Sequence, residues 1–224
     1  MTETRPTPTI EDYLGILYVM ERDGEPIIAA RLAEMLEVSP PTVTMTLKRM
    51  ARDGWIELDE HKGIHLTPNG HQAASSLIRR HMLIEWMLAR LLKVPWAKIH
   101  AEAHQIEHTI SEDVEARLQS SLEDPQLCPH GNPLPGFEHM VESWLPLTGI
   151  AAGETVTIRR IHEIAENNLQ VIRFLDQNGI FPGVQAQVTE VLPFNQTITL
   201  SVNQRQVTVG MQVARYLFVE KALN

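Results

Sequence analysis

Three histidines recur at four-residue intervals, His100, His104 and His108, and Glu107 directly precedes the last of them. In an α-helix, a four-residue step turns a side chain by roughly 40° and advances it by about 6 Å, so adjacent histidines can share one metal ion. The outer pair, about 12 Å apart along the axis, cannot. The same spacing occurs one predicted helix earlier, at His81 and Glu85. This pattern predicts two neighbouring divalent-metal sites built between helices.

The composition limits the donors available to such sites. The chain has 224 residues, of which 43% are hydrophobic and 21% charged, so it can form one large domain or two to three small ones with apolar cores. Its one cysteine, Cys128, allows neither an intrachain disulfide nor a cysteine-rich zinc site. We expect nitrogen and oxygen to hold the metal, and we expect Cys128 and the nearby His130 to form no site of their own.

The charge and the apolar pattern exclude further classes of protein. The formal net charge of −9 argues against nonspecific coating of nucleic acid, although a local basic patch can still read specific DNA. No apolar run approaches the roughly 18 to 20 residues of a membrane span. The N-terminal residues also lack the basic-then-apolar order of a signal peptide. We expect a cytoplasmic protein with no membrane partner.

The N-terminal third follows the element order of a winged helix-turn-helix. Helical periodicity predicts a first helix capped by Thr9, a second over residues 29–36 and a third capped by Ser39, followed by short strands at 55–58 and 63–66. In this architecture the third helix enters the major groove of DNA. A purely structural three-helix unit is the alternative. The expected DNA contacts are Ser39, Pro41, Thr42, Thr44, Met45, Arg49, Arg52 and, at the wing tip, Lys62.

The rest of the chain divides into a helical part and a β-rich part. A long helix is predicted from 67 to about 92, then the metal-bearing helix, then a short helix from Ser111 to about Leu122. Proline and glycine between Glu123 and about Leu147 predict a linker or an ordered irregular segment. Beyond it, alternation at period two predicts a small antiparallel β-barrel with one helical turn. The alternating segments are 154–159, 186–191, 197–202 and 206–209, and the helical turn spans 169–176.

Several segments together resemble the iron- and manganese-dependent repressors of the DtxR/MntR family. They are residues 13–18, 39–46, 49–54, 66–70, 80–85, Glu107-His108 and the run Gly131-Asn-Pro-Leu-Pro-Gly136. The match covers nearly the whole chain, and its end resembles the SH3-like, FeoA-like module of longer members. The implied fold is mainly α with a small all-β domain. We expect a winged helix-turn-helix DNA-binding domain at 1–72, a helical dimerisation and metal-binding domain with a Pro-rich linker at 73–145, and an SH3-like barrel at 146–224.

The resemblance also assigns ligands, position by position. The family's primary, activating site falls on Asp12, His104, Glu107 and His108, and its ancillary site falls on His81, Glu85 and His100. In some members the SH3-like module adds a Glu and a Gln to the ancillary site. Gln170 matches the second of these, whereas Asn167 stands in the place of the first, with Glu166 or Glu163 as the alternative.

Two departures from the family pattern affect the choice of metal. Iron-type members place Met at the position of Asp12 and Cys at that of His104, whereas manganese-type members place Asp and Glu there and a further Glu at the position of Gly15. This chain has the manganese-type Asp12, but it lacks the further Glu, and His104 replaces either usual ligand. The primary site here therefore contains no sulfur, which favours Mn²⁺ or Fe²⁺. Its two imidazoles also suit Zn²⁺, Co²⁺ or Ni²⁺ in vitro.

The resemblance implies a homodimeric transcriptional regulator. Mn²⁺ or Fe²⁺, at two sites per chain, is expected to activate binding of the dimer to palindromic operator DNA and so to repress metal-uptake genes. The alternatives are a metalloenzyme, such as a hydrolase or oxygenase, and a metal-buffer protein with a structural winged helix. No general base or nucleophile is evident outside the ligand set, and no glycine-rich or nucleophile-elbow motif occurs. We therefore expect a regulator rather than an enzyme.

Overall fold

The computed structural model describes residues 5–60 and 63–222, and the chain folds into two compact units. The first unit comprises the residues up to Arg80 together with Glu107–Ile110. The second comprises His81–Ile106 and the residues from Ser111 onward. Among the described residues, no helix is both long enough and apolar enough to cross a membrane.

The first unit contains three helices followed by a two-stranded antiparallel sheet: α1 (Pro8–Arg22), α2 (Ala29–Met35), α3 (Pro40–Arg52), β1 (Ile56–Leu58) and β2 (Ile64–Leu66). A fourth helix, α4 (Pro68–Trp86), begins in this unit. Apolar side chains at helical spacing form the core, which includes Leu14, Leu17, Val43, Met50 and Ile56. The predicted order of three helices and a wing is confirmed.

The helix starts are set by local chemistry. Ser39 caps α3 as predicted, since its Oγ accepts a hydrogen bond from the backbone N–H of Thr42 at 3.4 Å. The predicted cap of α1 is wrong: the N-cap is Thr7, and Pro8 occupies the first turn. Proline suits that position because its missing N–H would have no partner inside the helix. The predicted wing-tip residue Lys62 lies outside the described residues.

The second unit begins with the end of α4, which continues as a π-helical turn, Met87–Leu91. A 3₁₀ turn, Trp96–Lys98, leads into α5 (Ile99–Ile106), and α6 (Glu112–Ser121) is capped by Ser111 as predicted. The prediction of one α-helix through His108 is wrong at its end, because α5 stops at Ile106 and a 3₁₀ turn, Glu107–Thr109, follows. A 3₁₀ turn has about three residues per turn, so it redirects the side chains that follow α5.

The segment rich in proline and glycine is ordered and mostly irregular, with one 3₁₀ turn at Glu138–Met140 and a two-residue strand at Leu145–Pro146. A single antiparallel bridge joins Leu127 to Pro133, and Cys128, His130 and Asn132 are buried. The indole N–H groups of Trp86 and Trp96 donate to the backbone carbonyls of Leu127 (2.7 Å) and Pro129 (3.3 Å) respectively. Two donors thus hold the backbone on both sides of Cys128.

The remainder of the second unit is a six-stranded antiparallel sheet with strand order β3-β8-β4-β5-β6-β7. The strands are β3 (Leu145–Pro146), β4 (Thr155–Ile161), β5 (Gln185–Leu192), β6 (Thr197–Val202), β7 (Arg205–Gly210) and β8 (Leu217–Lys221). Three helices accompany them: α7 (Glu163–Glu166), α8 (Leu169–Gln177) and α9 (Met211–Ala214). The four alternating segments correspond to β4 to β7. Strands β3 and β8 were not predicted.

Candidate metal centres

The first cluster lies within the first unit and joins α1 to the turn that follows α5. Nε2 of His108 is 3.1 Å from Oδ1 of Asp12 and 3.5 Å from Oε1 of Glu107. Glu107 is buried, and Asp12 is half-buried. Three of the predicted primary ligands therefore come together. The fourth, His104, lies on α5 in the second unit, four residues before His108.

A buried carboxylate that the ligand assignment did not include supports this cluster. Glu11, beside Asp12 on α1, places Oε2 2.7 Å from Nδ1 of His108. Its other oxygen, Oε1, accepts from Nη2 of Arg80 at 2.7 Å and from Nε of Arg5 at 3.2 Å. The sequence marks Glu11 only as an acid in the first turn of a helix, where it favours the helix dipole.

The second cluster lies entirely within the second unit, where α4, α5 and α7 meet. Its members are His81, Glu85, His100 and Glu166, whose ligand atoms all lie within 4.8 Å of one another. Nδ1 of His100 is 3.0 Å from Nε2 of His81, 2.8 Å from Oε2 of Glu166 and 3.3 Å from Oε1 of Glu85. The three predicted ancillary ligands are thus together, and Glu166 joins them.

The other residues considered for this centre take different positions. Oδ1 of Asn167 lies 3.1 Å from Nε2 of His100. Gln170 is exposed in the first turn of α8, where its backbone N–H donates to Oδ1 of Asn168. Glu163 is engaged by the guanidinium of Arg160 at 3.1 Å. The ligand role of Gln170 stays a prediction.

The irregular segment brings two further donors to the same place. Cys128, His130 and Glu85 form a second group of ligand atoms within 4.8 Å of one another. Nδ1 of His130 is 3.2 Å from Oε1 of Glu85 and 3.4 Å from Oε2 of Glu166. Sequence reasoning missed this convergence. The available signal was a thiol and an imidazole two residues apart, which alone is too common to indicate a site.

Burial and charge compete in this cluster. Burial opposes protonation of His100, yet the carboxylates of Glu166 and Glu85 outweigh it and hold the pKa of His100 well above its ordinary value. The pKa of His130 is raised for the same reason. Burial opposes ionisation of Glu85, but the charge of His130 and hydrogen bonds from the histidines hold its pKa well below the ordinary value. Burial, with the nearby carboxylates, raises the pKa of the Cys128 thiol well above normal.

The donor sets fit a divalent ion. Oε2 of Glu85 and Nε2 of His130 are buried atoms for which the described residues supply no hydrogen-bond partner. Each such atom typically lowers the stability of the fold by about 1–3 kcal/mol unless a hydrogen-bond partner or a metal ion satisfies it. Imidazole and carboxylate donors suit Mn²⁺, Fe²⁺ and Zn²⁺, and a thiolate adds preference for softer ions. A cation at either cluster would compensate the carboxylates gathered there.

The expected DNA contacts lie on the exposed face of α3. Val43, Leu47 and Met50 point into the core, which leaves Ser39, Pro41, Thr42, Thr44 and Met45 exposed on the opposite side. Met45 is 73% exposed. At the other end of the helix, Arg52 and Arg49 both approach Asp53, at 2.8 and 3.6 Å.

Three family models match consecutive parts of the chain. They are described as the N-terminal DNA-binding domain of iron-dependent repressors (residues 6–64), the metal-binding and dimerisation domain of iron-dependent repressors (67–136) and the FeoA domain (145–221).

Relatives and solved structures agree with these matches. The iron-dependent repressor IdeR of Mycobacterium tuberculosis is 34% identical, over 95% of this chain and 97% of that protein. The diphtheria toxin repressor of Corynebacterium diphtheriae is 34% identical, over 82% of this chain and 78% of that protein. The structure of the manganese regulator SloR has a TM-score of 0.80 at 31% identity and covers 97% of this chain and 100% of its own. A manganese-dependent transcriptional repressor in complex with manganese has a TM-score of 0.84 at 27% identity, over 95% and 100% of the two chains. The chain belongs to the iron-dependent repressor family.

Proposed function

We propose that this protein is a transcriptional regulator that binds operator DNA as a homodimer when Mn²⁺ or Fe²⁺ is bound. The observation that carries the proposal is the contact between Asp12 and His108, because Asp12 stands on the first helix of the DNA-binding unit. An ion bound by Asp12, Glu107 and His108 would tie α1 to the turn that follows α5. Metal supply then controls the arrangement of the recognition helices.

The first centre consists of Asp12, Glu107 and His108, with His104 as the fourth proposed ligand. Asp12 and Glu107 place two carboxylates against one imidazole nitrogen, so the cluster carries excess negative charge when His108 is neutral. A divalent ion bound there would compensate this charge. Binding favours the DNA-competent state only if the ligands are better aligned in that state than in the remainder of the ensemble.

The second centre provides two overlapping ligand sets that share Glu85. One set, with His81, His100 and Glu166, offers only nitrogen and oxygen; the other adds His130 and the thiol of Cys128. We assign the first set to Mn²⁺ or Fe²⁺. Zn²⁺ and other softer ions are expected to draw on Cys128, because thiolates bind them better.

The DNA-contacting surface is the exposed side of α3. Ser39, Thr42 and Thr44 supply hydroxyl groups near the helix start, where backbone N–H groups also favour phosphate. Met45 offers an apolar contact to a thymine methyl, and Arg49 and Arg52 add positive charge. Two such helices in a dimer would read the two half-sites of a palindromic operator. We expect the protein to act in the cytoplasm and its binding to the operator to repress metal-uptake genes.

Operator binding at controlled metal levels tests the proposal. The purified protein is titrated against its own upstream region and against metal-transporter promoters, first with chelator and then with Mn²⁺, Fe²⁺, Zn²⁺ or Co²⁺ at buffered free concentrations. We expect specific binding that requires metal, strongest with Mn²⁺ or Fe²⁺. Tight metal binding with no preferred DNA site would instead indicate a metal buffer, and turnover of a substrate by the loaded protein would indicate an enzyme.

A further inference from the structure

The two carboxylate oxygens of Glu11 have different partners. Oε1 accepts a hydrogen bond from Nη2 of Arg80 at 2.7 Å, and Oε2 lies 2.7 Å from Nδ1 of His108. Glu11 is 2% exposed and Arg80 is 5% exposed, so water does not readily replace either partner. All three residues belong to the first unit.

This contact favours a proton on Nδ1 of His108. An ionised carboxylate only accepts hydrogen bonds, so Nδ1 must be the donor toward Oε2 of Glu11. In a neutral imidazole the other nitrogen, Nε2, then carries the lone pair. Nε2 is also the atom that faces Oδ1 of Asp12 at 3.1 Å and Oε1 of Glu107 at 3.5 Å.

We propose that Glu11 is a positioning residue that fixes His108 in the tautomer able to bind a metal through Nε2, and that Arg80 holds Glu11 in the orientation this requires. The proposal rests on the first centre of the proposed function. Loss of a hydrogen-bond partner behind a metal-ligating histidine typically reduces metal affinity by about 10–100-fold. Glu11 would therefore contribute to metal affinity without touching the ion.

The two-sided arrangement gives glutamine a distinctive effect at this position. The guanidinium of Arg80 has donors only, so in the variant Glu11→Gln it would require the oxygen of the new side-chain amide. The amide NH₂ would then face Nδ1 of His108 and force that nitrogen to accept. The proton would move to Nε2, and the lone pair needed for metal binding would be lost. If Arg80 is also replaced by Met, the amide can turn over and present its oxygen to His108.

Metal titrations of four proteins test this logic: the natural chain, Glu11→Gln, Arg80→Met and the double variant. Glu107→Gln serves as a reference that identifies the first centre in Mn²⁺ titrations followed by electron paramagnetic resonance. We expect Glu11→Gln to weaken that centre at least about tenfold. Arg80→Met should weaken it less than Glu11→Gln does, because Oε2 of Glu11 can still accept from Nδ1 of His108 but the carboxylate loses the partner that orients it. The double variant should recover part of the loss caused by Glu11→Gln. Arg5, whose side chain is 46% exposed, can turn to water when the amide turns over.

A second measurement needs no metal. Nitrogen NMR of histidine-labelled, metal-free protein reports which imidazole nitrogen of His108 is protonated, with His108→Asn to assign the signals. At a pH at which the His108 ring is neutral, the natural chain should carry the proton on Nδ1 and Glu11→Gln should carry it on Nε2. The same tautomer in both proteins, or a double variant that binds Mn²⁺ no better than Glu11→Gln, would overturn the proposal. A natural chain that shows no metal-dependent DNA binding would instead count against the proposed function. The Mn²⁺ titrations and the tautomer measurement do not depend on DNA, so the two failures can be told apart.

Discussion

Nδ1 of His130 lies 3.2 Å from Oε1 of Glu85, although α5, α6 and the first part of an irregular segment separate the two residues in sequence. His130 is fully buried, and the ring of Trp96 packs beside it with centroids 4.6 Å apart. The segment rich in proline and glycine is therefore part of the wall of the second centre and delivers Cys128 to it.

Replacement of Cys128 by Ser should separate the two ligand sets of the second centre. The oxygen of serine is a poor substitute for a thiolate toward soft ions, so Zn²⁺ affinity should fall by roughly tenfold while Mn²⁺ affinity changes little. Competitive titration with metal-sensitive dyes measures both values. The Co²⁺-loaded natural protein should also show a near-ultraviolet thiolate charge-transfer band that the variant lacks. Equal losses for Zn²⁺ and Mn²⁺ would contradict the assignment.

Glu107→Gln should abolish metal-dependent operator binding while it leaves the fold intact. The change removes one of the two carboxylates that face Nε2 of His108, and its size and shape are conserved. Operator binding of both proteins is measured at an Mn²⁺ concentration that saturates the natural protein. Circular dichroism checks that the variant keeps the fold. Glu102→Gln is the matched control, since Glu102 is exposed on α5. Unchanged operator affinity in Glu107→Gln would refute the assignment of the first centre.

Arg49→Ala should weaken operator binding at all sequences to a similar extent. We assign the Arg49 guanidinium, which is half-exposed beside Asp53, to a DNA phosphate. Loss of one phosphate contact should reduce the slope of log affinity against log salt by about 1. Binding measured between low and moderate salt gives this slope, with Arg117→Ala on α6 as the control. An effect confined to one base pair of the operator would show that Arg49 reads a base.

Gly131→Ala should destabilise the protein more than Gly136→Ala. Both glycines have positive φ, +88° and +96°, so alanine is strained by about 1–2 kcal/mol at either position. Only at Gly131 would the new Cβ collide with the chain, 2.0 Å from the carbonyl oxygen of Arg159 on β4. Thermal unfolding of the metal-free proteins measures the difference, and equal losses would mean that the close approach at Gly131 relaxes freely.

The metal-free protein should lose stability as the pH rises above 6.5. The pKa values of His100 and His130 are raised above 6.5 in the folded protein, so their contribution is complete below that pH and is lost as the pH passes through the folded values. The pKa of Glu85 is lowered, so its contribution is present above 4.5 and is lost only at acid pH. Urea unfolding in chelator between pH 6 and 9 should show the decline, which His100→Gln should flatten. A flat profile in the natural protein would contradict it.

Metal binding should show the opposite dependence on pH. His100 and His130 bind a metal ion only in their neutral forms. The carboxylates of Glu85 and Glu166 favour the protonated forms of both histidines, so an ion must displace those protons. The metal affinity of the second centre is therefore expected to rise over the same pH range in which the metal-free protein loses stability. Calorimetry in buffers of different ionisation enthalpy would count the released protons.

The local elements could be read from the sequence because short-range chemistry determines them. The four-residue spacing of His81 and Glu85 predicted a shared helix face, Ser39 predicted a helix start, and period-two alternation predicted β4 to β7. The axial spacing of the histidines predicted two centres, and the resemblance assigned ligands to each. Asp12, Glu107 and His108 lie together in the first unit, and His81, Glu85 and His100 lie together in the second. Neither β3, which has two residues, nor β8, which begins with the three consecutive apolar residues Leu217-Phe-Val219, shows alternation at period two.

Tertiary structure alone decided which distant side chains meet. Glu166, His130 and Cys128 reach Glu85 because the irregular segment packs on α4 and is fixed to β4 and α7, where Asn132 donates to the carbonyl of Ile161 and to the carboxylate of Glu166. Glu11 acquired its role only when Arg80 and His108 were found on its two oxygens. The sequence by itself determines which donors exist and how neighbours along a helix are spaced. The convergence of donors far apart in the chain depends on packing and buried hydrogen bonds, which no local pattern encodes.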